Sequence, residues 1–227
     1  MYYHESEWKA LEPILWYPIR FSVKTILVIG AHRFDEKDKI DEVFTSLENI
    51  ICFEPIKELC LHVLEKNKKD LRVRCLPYAV SDYNSRELLT ITDNDGASST
   101  ICDFTTHAER FPDIKIKEVR EVDVHTLQWI YSRHLLPWPD ALFIDAEGCE
   151  AKILKSVPPD LMEKLKFIFV ECSKEPIYDE ATFDTIYETL SPSFKMLSWV
   201  PIEPEVPTHG NSLYICKQFY EEKSYGR

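Results

Sequence analysis

Glycine is scarce in this chain. It has five in 227 residues, and no G-x-G-x-x-G run. The fingerprint that brings a dinucleotide's pyrophosphate against a helix N-terminus is therefore missing. Seven cysteines are present, Cys52, Cys60, Cys75, Cys102, Cys149, Cys172 and Cys216, without one C-x-x-C pair. A structural zinc centre is left without its usual ligand cluster, and no metal site is expected from them. Their odd number, and the apolar runs that hold Cys52, Cys75, Cys172 and Cys216, suit buried reduced thiols in a cytoplasmic protein. An excess of positive charge is also lacking. The net charge is −12, the lysines and arginines are scattered, and no grip on nucleic acid is expected. No apolar run reaches the length of a membrane span. Glu5, Glu7, Lys9 and Glu12 break the uninterrupted apolar core that a secretory leader needs.

What is present is the composition of a folded domain, 44% hydrophobic and 29% charged, with a length that suits one α/β domain. "KTILVIGA" reads as a buried parallel strand. Ile40, Val43, Phe44 and Leu47 then repeat as one face of a helix. "NIICFEP" is a second strand, Ile56, Leu59, Cys60, Val63 and Leu64 a second helical stripe, and "LRVRCLPYAV" a third strand. This β-α-β-α-β order predicts a parallel sheet with right-handed crossovers. "ELLTITD" and "KEVREVDV" read as strands flanking a long loop over residues 94–116, of the kind that is usually functional or mobile. "TLQWIYSRHLL" reads as a helix, "DALFIDAEG" and "KFIFVECS" as core strands. A helix from Glu150 breaks near Pro158 and Pro159, and Phe183, Ile186, Tyr187 and Leu190 mark another. "FKMLSWV" and "SLYICKQF" suit an antiparallel pair joined by the loop "PIEPEVPTHG". Residues 1–22 read as an N-terminal lid or docking segment, and residues 23–227 as one domain.

In doubly wound sheets ligands bind beyond the carboxyl ends of the strands. Those ends carry Gly30, Ala31 and His32, then Glu54, then Ala79, Val80, Ser81 and Asp82, then Asp145, Glu147 and Gly148, and finally Glu171. Glu54 stands 24 residues after Gly30, where a carboxylate can accept from both hydroxyls of a ribose. The alternative is a helix N-terminal acid favoured by the dipole. The turn "GAHRFDE" narrows the nucleotide. Asp35 and Glu36 would repel two phosphates, whereas S-adenosylmethionine has no phosphate and carries a sulfonium and an ammonium. The plainer reading of Asp35 and Glu36 is helix capping. In "IDAEGCEAKIL", Asp145 and Glu147 are two apart at the end of a buried strand and point to one side. Carboxylates beside a buried sheet are costly unless they bind something. Capping could explain Glu147 and Glu150 and leaves Asp145 unexplained.

Seven motifs occur in order between residues 25 and 172: "VIGA" (28–31), "FEP" (53–55), "AVSD" (79–82), "SST" (98–100), "VDVHTL" (122–127), "IDAEGCEAKIL" (144–154) and "FVE" (169–171). Together they resemble the FkbM family of S-adenosylmethionine-dependent methyltransferases. The resemblance implies a Rossmann-like, doubly wound, mostly parallel seven-stranded α/β sheet of the class I methyltransferase type with an antiparallel C-terminal strand. It implies S-adenosylmethionine as cofactor. Gly30, Ala31 and His32 would line the methionine tail, Glu54 with Pro55 would hold the ribose, and Ala79, Val80, Ser81 and Asp82 would lie by the adenine. Ser98 and Ser99 would stand near cofactor or acceptor, and Asp145 and Glu147 would face the reacting centre. The family's first motif usually continues with Asn and a second glycine. Here "HRFDE" follows, and Phe34 is placed to pack over the methionine tail.

Most members of the family methylate hydroxyls, often on sugars or polyketides. The expected acceptor is therefore a sugar hydroxyl in a glycan, a deoxyhexose such as rhamnose among them. The expected general base is Asp145, then Glu147, with His32 and His125 as further candidates. The same carboxylates have the oxygen chemistry to bind Mg²⁺. Two rivals stay open: an NAD(P)-dependent oxidoreductase on the same sheet, and a non-catalytic module with a methyltransferase-like fold.

Overall fold

The computed structural model describes residues 8–175, 177–178, 182–202 and 208–220. Residues 1–7 of the N-terminal segment, and residues 203–207 of the loop "PIEPEVPTHG", lie outside them. β1 (Thr25–Ile29) is buried at every position. A run without polar alternation has no face to offer water, so it takes the middle of a sheet covered on both sides. α1 (Lys37–Val43) buries Ile40 and Val43, and Phe44 and Leu47 enter the core just past its end. β2 (Asn49–Phe53) pairs parallel with β1, from Thr25 opposite Asn49 to Ile29 opposite Phe53. α2 (Lys57–Lys66) turns Cys60 and Val63 inward, and β3 (Val73–Leu76) adds to β2, again parallel.

The third run is not one strand. Pro77 has no N–H and a fixed φ, so the ladder cannot continue through it. The amide of Tyr78 turns back to the carbonyl of Leu76 at 2.9 Å. The chain then leaves the main sheet, and β4 (Ala79–Val80) joins a second one. There β5 (Ser85–Thr92) and β6 (Ile116–His125) run antiparallel, and the order is β4-β6-β5. The stretch read as a loop over residues 94–116 contains a helix, α3 (Thr105–Arg110). Six residues are too few for an apolar period to show in sequence.

α4 (Leu127–Arg133) starts at Thr126, whose side chain accepts from the amide of Trp129. β7 (Ala141–Ile144) is fully buried. α5 (Glu150–Ser156) and α6 (Pro159–Met162) are separated at the two prolines. β8 (Phe167–Ser173), α7 (Phe183–Leu190), β9 (Phe194–Pro201), β10 (His209–Cys216) and α8 (Lys217–Tyr220) complete the chain.

The main sheet has seven strands in the order β3-β2-β1-β7-β8-β10-β9. β7 lies parallel between β1 and β8, and β10 runs antiparallel to both β8 and β9. Leu27 and Ile29 of β1 pack with Leu127, Ile153 and Ile186 on one face. Ile26 and Val28 pack with Ile14, Ile40 and Val63 on the other. Chain order reverses between β1 and β7, so a crevice opens above their carboxyl ends. Residues 8–22 lie on the second face as two 3₁₀ turns, with Ala10, Leu11, Ile14 and Tyr17 buried. All seven cysteines are free thiols. No helix among the described residues is long and apolar enough to cross a membrane.

Candidate active site

The turn after β1 is shaped by its neighbours. A Cβ on Gly30 would stand 1.6 Å from the carbonyl oxygen of Asp145, and φ there is +83°. The glycine is required because the backbone beyond β7 passes against it. His32 and Phe34 adopt left-handed φ of 45° and 51°, conformations a non-glycine residue keeps only when its surroundings impose them. The amide of His32 donates to Glu54 Oε2 at 2.8 Å, and His32 Nε2 lies 3.0 Å from the carbonyl oxygen of Asp95. Phe34 is fully buried in the core and does not cover the crevice. Glu54 Oε1 accepts from the amide of Ile56 at 2.8 Å. One carboxylate thus ties the β1 and β2 loops together, with a lone pair on each oxygen still open. Its burial pushes the pKa up to about 7.

The turn after β7 is built around Glu150. Its carboxylate accepts from the amides of Ala146 at 2.7 Å and Gly148 at 3.0 Å. Both amides belong to the turn and not to α5, which has no side-chain cap, so Glu150 braces the turn where the sequence offered it as a helix cap. Glu147, at φ +47°, caps nothing. Its Oε2 accepts from the Tyr178 hydroxyl at 2.8 Å, and its carbonyl from Thr100 Oγ1 at 2.5 Å. Asp145 hydrogen-bonds with Glu171, and Glu171 Oε1 lies 3.0 Å from His209 Nε2. Asp145 has accessible surface because it lines the crevice, yet protein surrounds it closely enough for desolvation to raise its pKa. Desolvation, with Glu171 and Asp145 nearby, raises Glu147 as well. Oxygens of Asp145, Glu150 and Glu171 lie within 4.8 Å of one another. That donor set has the chemistry for Mg²⁺, although Glu150 is already engaged by two amides.

These turns wall a cavity of about 620 Å³. It brings together Gly30, His32, Glu54, Pro55, Ala79, Val80, Ser99, Asp145 and Glu147. Ser98 also lines it. Three expected cofactor residues are not on its wall. Ala31 points into the core behind β1. Ser81 is buried, its amide bonded to the carbonyl of His125, and Asp82 projects outward. The break at Pro77 is the reason, since it swings everything past Val80 toward the small sheet. His125 stacks on Trp129 at 3.6 Å, away from the cavity.

The cavity wall also carries Trp8, His107 and His209, which the sequence did not mark. Trp8 stacks on Phe169 at 6.0 Å, and both line the wall. His107 is 3% exposed, sits between the rings of Phe104 and Phe111, and leaves Nδ1 without a hydrogen-bond partner. Burial, with His209 nearby, lowers its pKa, so it is neutral near pH 7. His209 and Glu171 meet only because β10 inserts beside β8, and no local pattern announces that pair. Glu36 also lines the wall.

Comparison with known proteins bears on the fold and the family. The Methyltransferase FkbM domain matches residues 29–196. No curated protein sequence matches the chain. Among solved structures, the FkbM methyltransferase of Methylobacillus flagellatus KT superposes with a TM-score of 0.55 at 16% identity, over 94% of this chain and 49% of that one. This chain therefore spans about half the length of that relative. Spermidine synthase of Thermotoga maritima gives 0.50 at 13% identity, covering 98% and 62%. The N-methyltransferase NodS of Bradyrhizobium japonicum WM9 gives 0.50 at 5%, covering 92% and 94%. At these identities the superpositions speak for the fold alone, whereas the domain match extends from the last residue of β1 into β9. The chain belongs to the FkbM methyltransferase family.

Proposed function

We propose that this chain transfers a methyl group from S-adenosylmethionine to a hydroxyl, on a sugar of a glycan such as a deoxyhexose. One observation carries the reading. Asp145 and Glu147 line one cavity with Glu54, Trp8 and Phe169, and the strand order sets β7, which Asp145 follows, between β2, which Glu54 follows, and β8, which holds Phe169. Glu54 would accept from the ribose hydroxyls. The flat faces of Trp8 and Phe169 suit a pyranose ring, and His209 and Asn211 on the same wall suit its hydroxyls. The seven free thiols suit the cytoplasm.

S-adenosylmethionine, when bound, supplies a methyl group on a cationic sulfur that leaves as a thioether. The residues align the acceptor oxygen with that methyl and exclude water, which supplies much of the acceleration. Asp145 takes the hydroxyl's proton as the new C–O bond forms. Its raised pKa favours proton capture over that of an ordinary aspartate. His32 is the weaker base candidate, since Nε2 is already 3.0 Å from a backbone oxygen. Mg²⁺, if held by Asp145 and Glu171, would instead acidify the acceptor hydroxyl, whose proton would then pass to solvent. Activity that dies with chelator and returns with Mg²⁺ would mark that route.

Calorimetry with S-adenosylhomocysteine tests the reading, and micromolar binding is the expected result. Thermal stabilisation by NAD, and none by S-adenosylhomocysteine, would overturn it in favour of an oxidoreductase. A mass-shift screen of methyl glycosides follows. Binding without transfer to any acceptor would leave a non-catalytic module.

A further inference from the structure

Glu36 stands where an acid commonly caps a helix, yet it makes no side-chain cap to α1. Its Oε2 is sealed from solvent and has no hydrogen-bond partner. The residue lines the cavity beside Gly30, His32 and Asp145. The groups around it do not neutralise it. Asp35 of its own loop and Asp145 beyond β7 are acids, and Cys52 of β2 is a buried thiol. Lys66 of α2 is the nearby cation, and it is already engaged by Asp35 Oδ1 at 2.5 Å and by the carbonyls of Arg33 and Phe34. A buried carboxyl in such company is costly unless a cation with hydrogen to donate comes to it.

We propose that Glu36 binds the α-ammonium of the methionyl tail of S-adenosylmethionine. The assignment rests on the cofactor reading above and adds the residue that anchors the tail. An ammonium brings both a positive charge and three donors, which answers a cavity-lining carboxyl short of both. The sulfonium has the charge without a donor, and the ribose end already has Glu54. Burial and the two acids hold the Glu36 carboxyl at a pKa of about 8. At neutral pH the ammonium would therefore drive a proton off it.

The test compares S-adenosylhomocysteine, which keeps the ammonium, with 5′-methylthioadenosine, which lacks the whole amino-acid tail. By calorimetry on the full chain, Glu36→Gln should lose about tenfold or more in affinity for the first. It should bind the second as the wild type does. Equal affinity of wild type and variant for S-adenosylhomocysteine, or equal losses for both nucleosides, overturns the assignment. A measurement on the wild type alone serves if the variant does not fold. In buffers of different ionisation heat at pH 7, S-adenosylhomocysteine should release a proton that 5′-methylthioadenosine does not. Equal release by both overturns the assignment. A wild-type chain that binds neither nucleoside sinks the cofactor reading itself, and the anchor with it.

Discussion

At Gly30 the space for a side chain is already taken. A Cβ would meet the Asp145 carbonyl at 1.6 Å, at a φ that L side chains resist. Gly30→Ala should cost about 3 kcal/mol or more of stability, read as a shift of the urea midpoint. It should also displace Asp145, so binding of S-adenosylhomocysteine is lost with it. Asp145→Asn keeps the shape and removes the base. With an acceptor from the glycoside screen, turnover should fall by about 10²–10⁴-fold while S-adenosylhomocysteine still binds. Unchanged turnover would remove Asp145 from the mechanism. Both residues were legible in the sequence, one as the single glycine of a strand-to-helix turn and the other as an acid ending an apolar strand. Glu36 was legible only as an ordinary helix cap, because nothing local shows that its carboxylate turns away from the helix.

At the scale of elements, apolar period and turn chemistry located most strands and helices within a few residues. Thr126 shows how local that information is. Its hydroxyl accepts from the Trp129 amide at 3.1 Å and starts α4. Thr126→Ala should lower stability by about 1 kcal/mol, visible as a drop in the melting temperature. The misreadings had physical causes. "LRVRCLPYAV" reads as one strand, yet Pro77 divides it between two sheets and carries Ser81 and Asp82 away from the cavity. α3 is too short to print a period, so His107 passed as a loop residue. His209 and Glu171 come from strands that pair only in the closed sheet.

Across the whole molecule, buried acids make the unligated protein sensitive to pH. The carboxyls of Glu54 and Glu150 are pushed up to about 7, and Glu36 to about 8. From about pH 4.5 upward the unfolded chain has released those protons while the folded chain still holds them. The folded state binds more protons in that window, so stability falls as pH rises toward 8. Asp70, bonded to Arg72 and Lys37, is held well below the usual carboxylate range, and Glu58 is lowered by Arg120. Their contribution is lost as pH falls below about 4. Melting temperatures of the unligated chain should therefore peak near pH 5 and decline toward pH 8.5. A curve still rising from pH 5 to 8.5 would contradict the folded-state protonation of these acids. Bound S-adenosylhomocysteine should flatten the decline.

By itself, the sequence determined the alternation of strands and helices, the absence of a pyrophosphate-binding loop, and the acids that end β2 and β7. Each of these follows from neighbours in the chain: apolar period, glycine count and residue spacing. Only the tertiary structure decided which acids share a cavity, which are spent on backbone amides, and which is left without a partner. Those outcomes depend on strand order and on backbones passing at van der Waals distance. The Asp145 carbonyl fills the space beside Gly30, β10 brings His209 to Glu171, and Glu36 is left on the cavity wall with an unpaired oxygen.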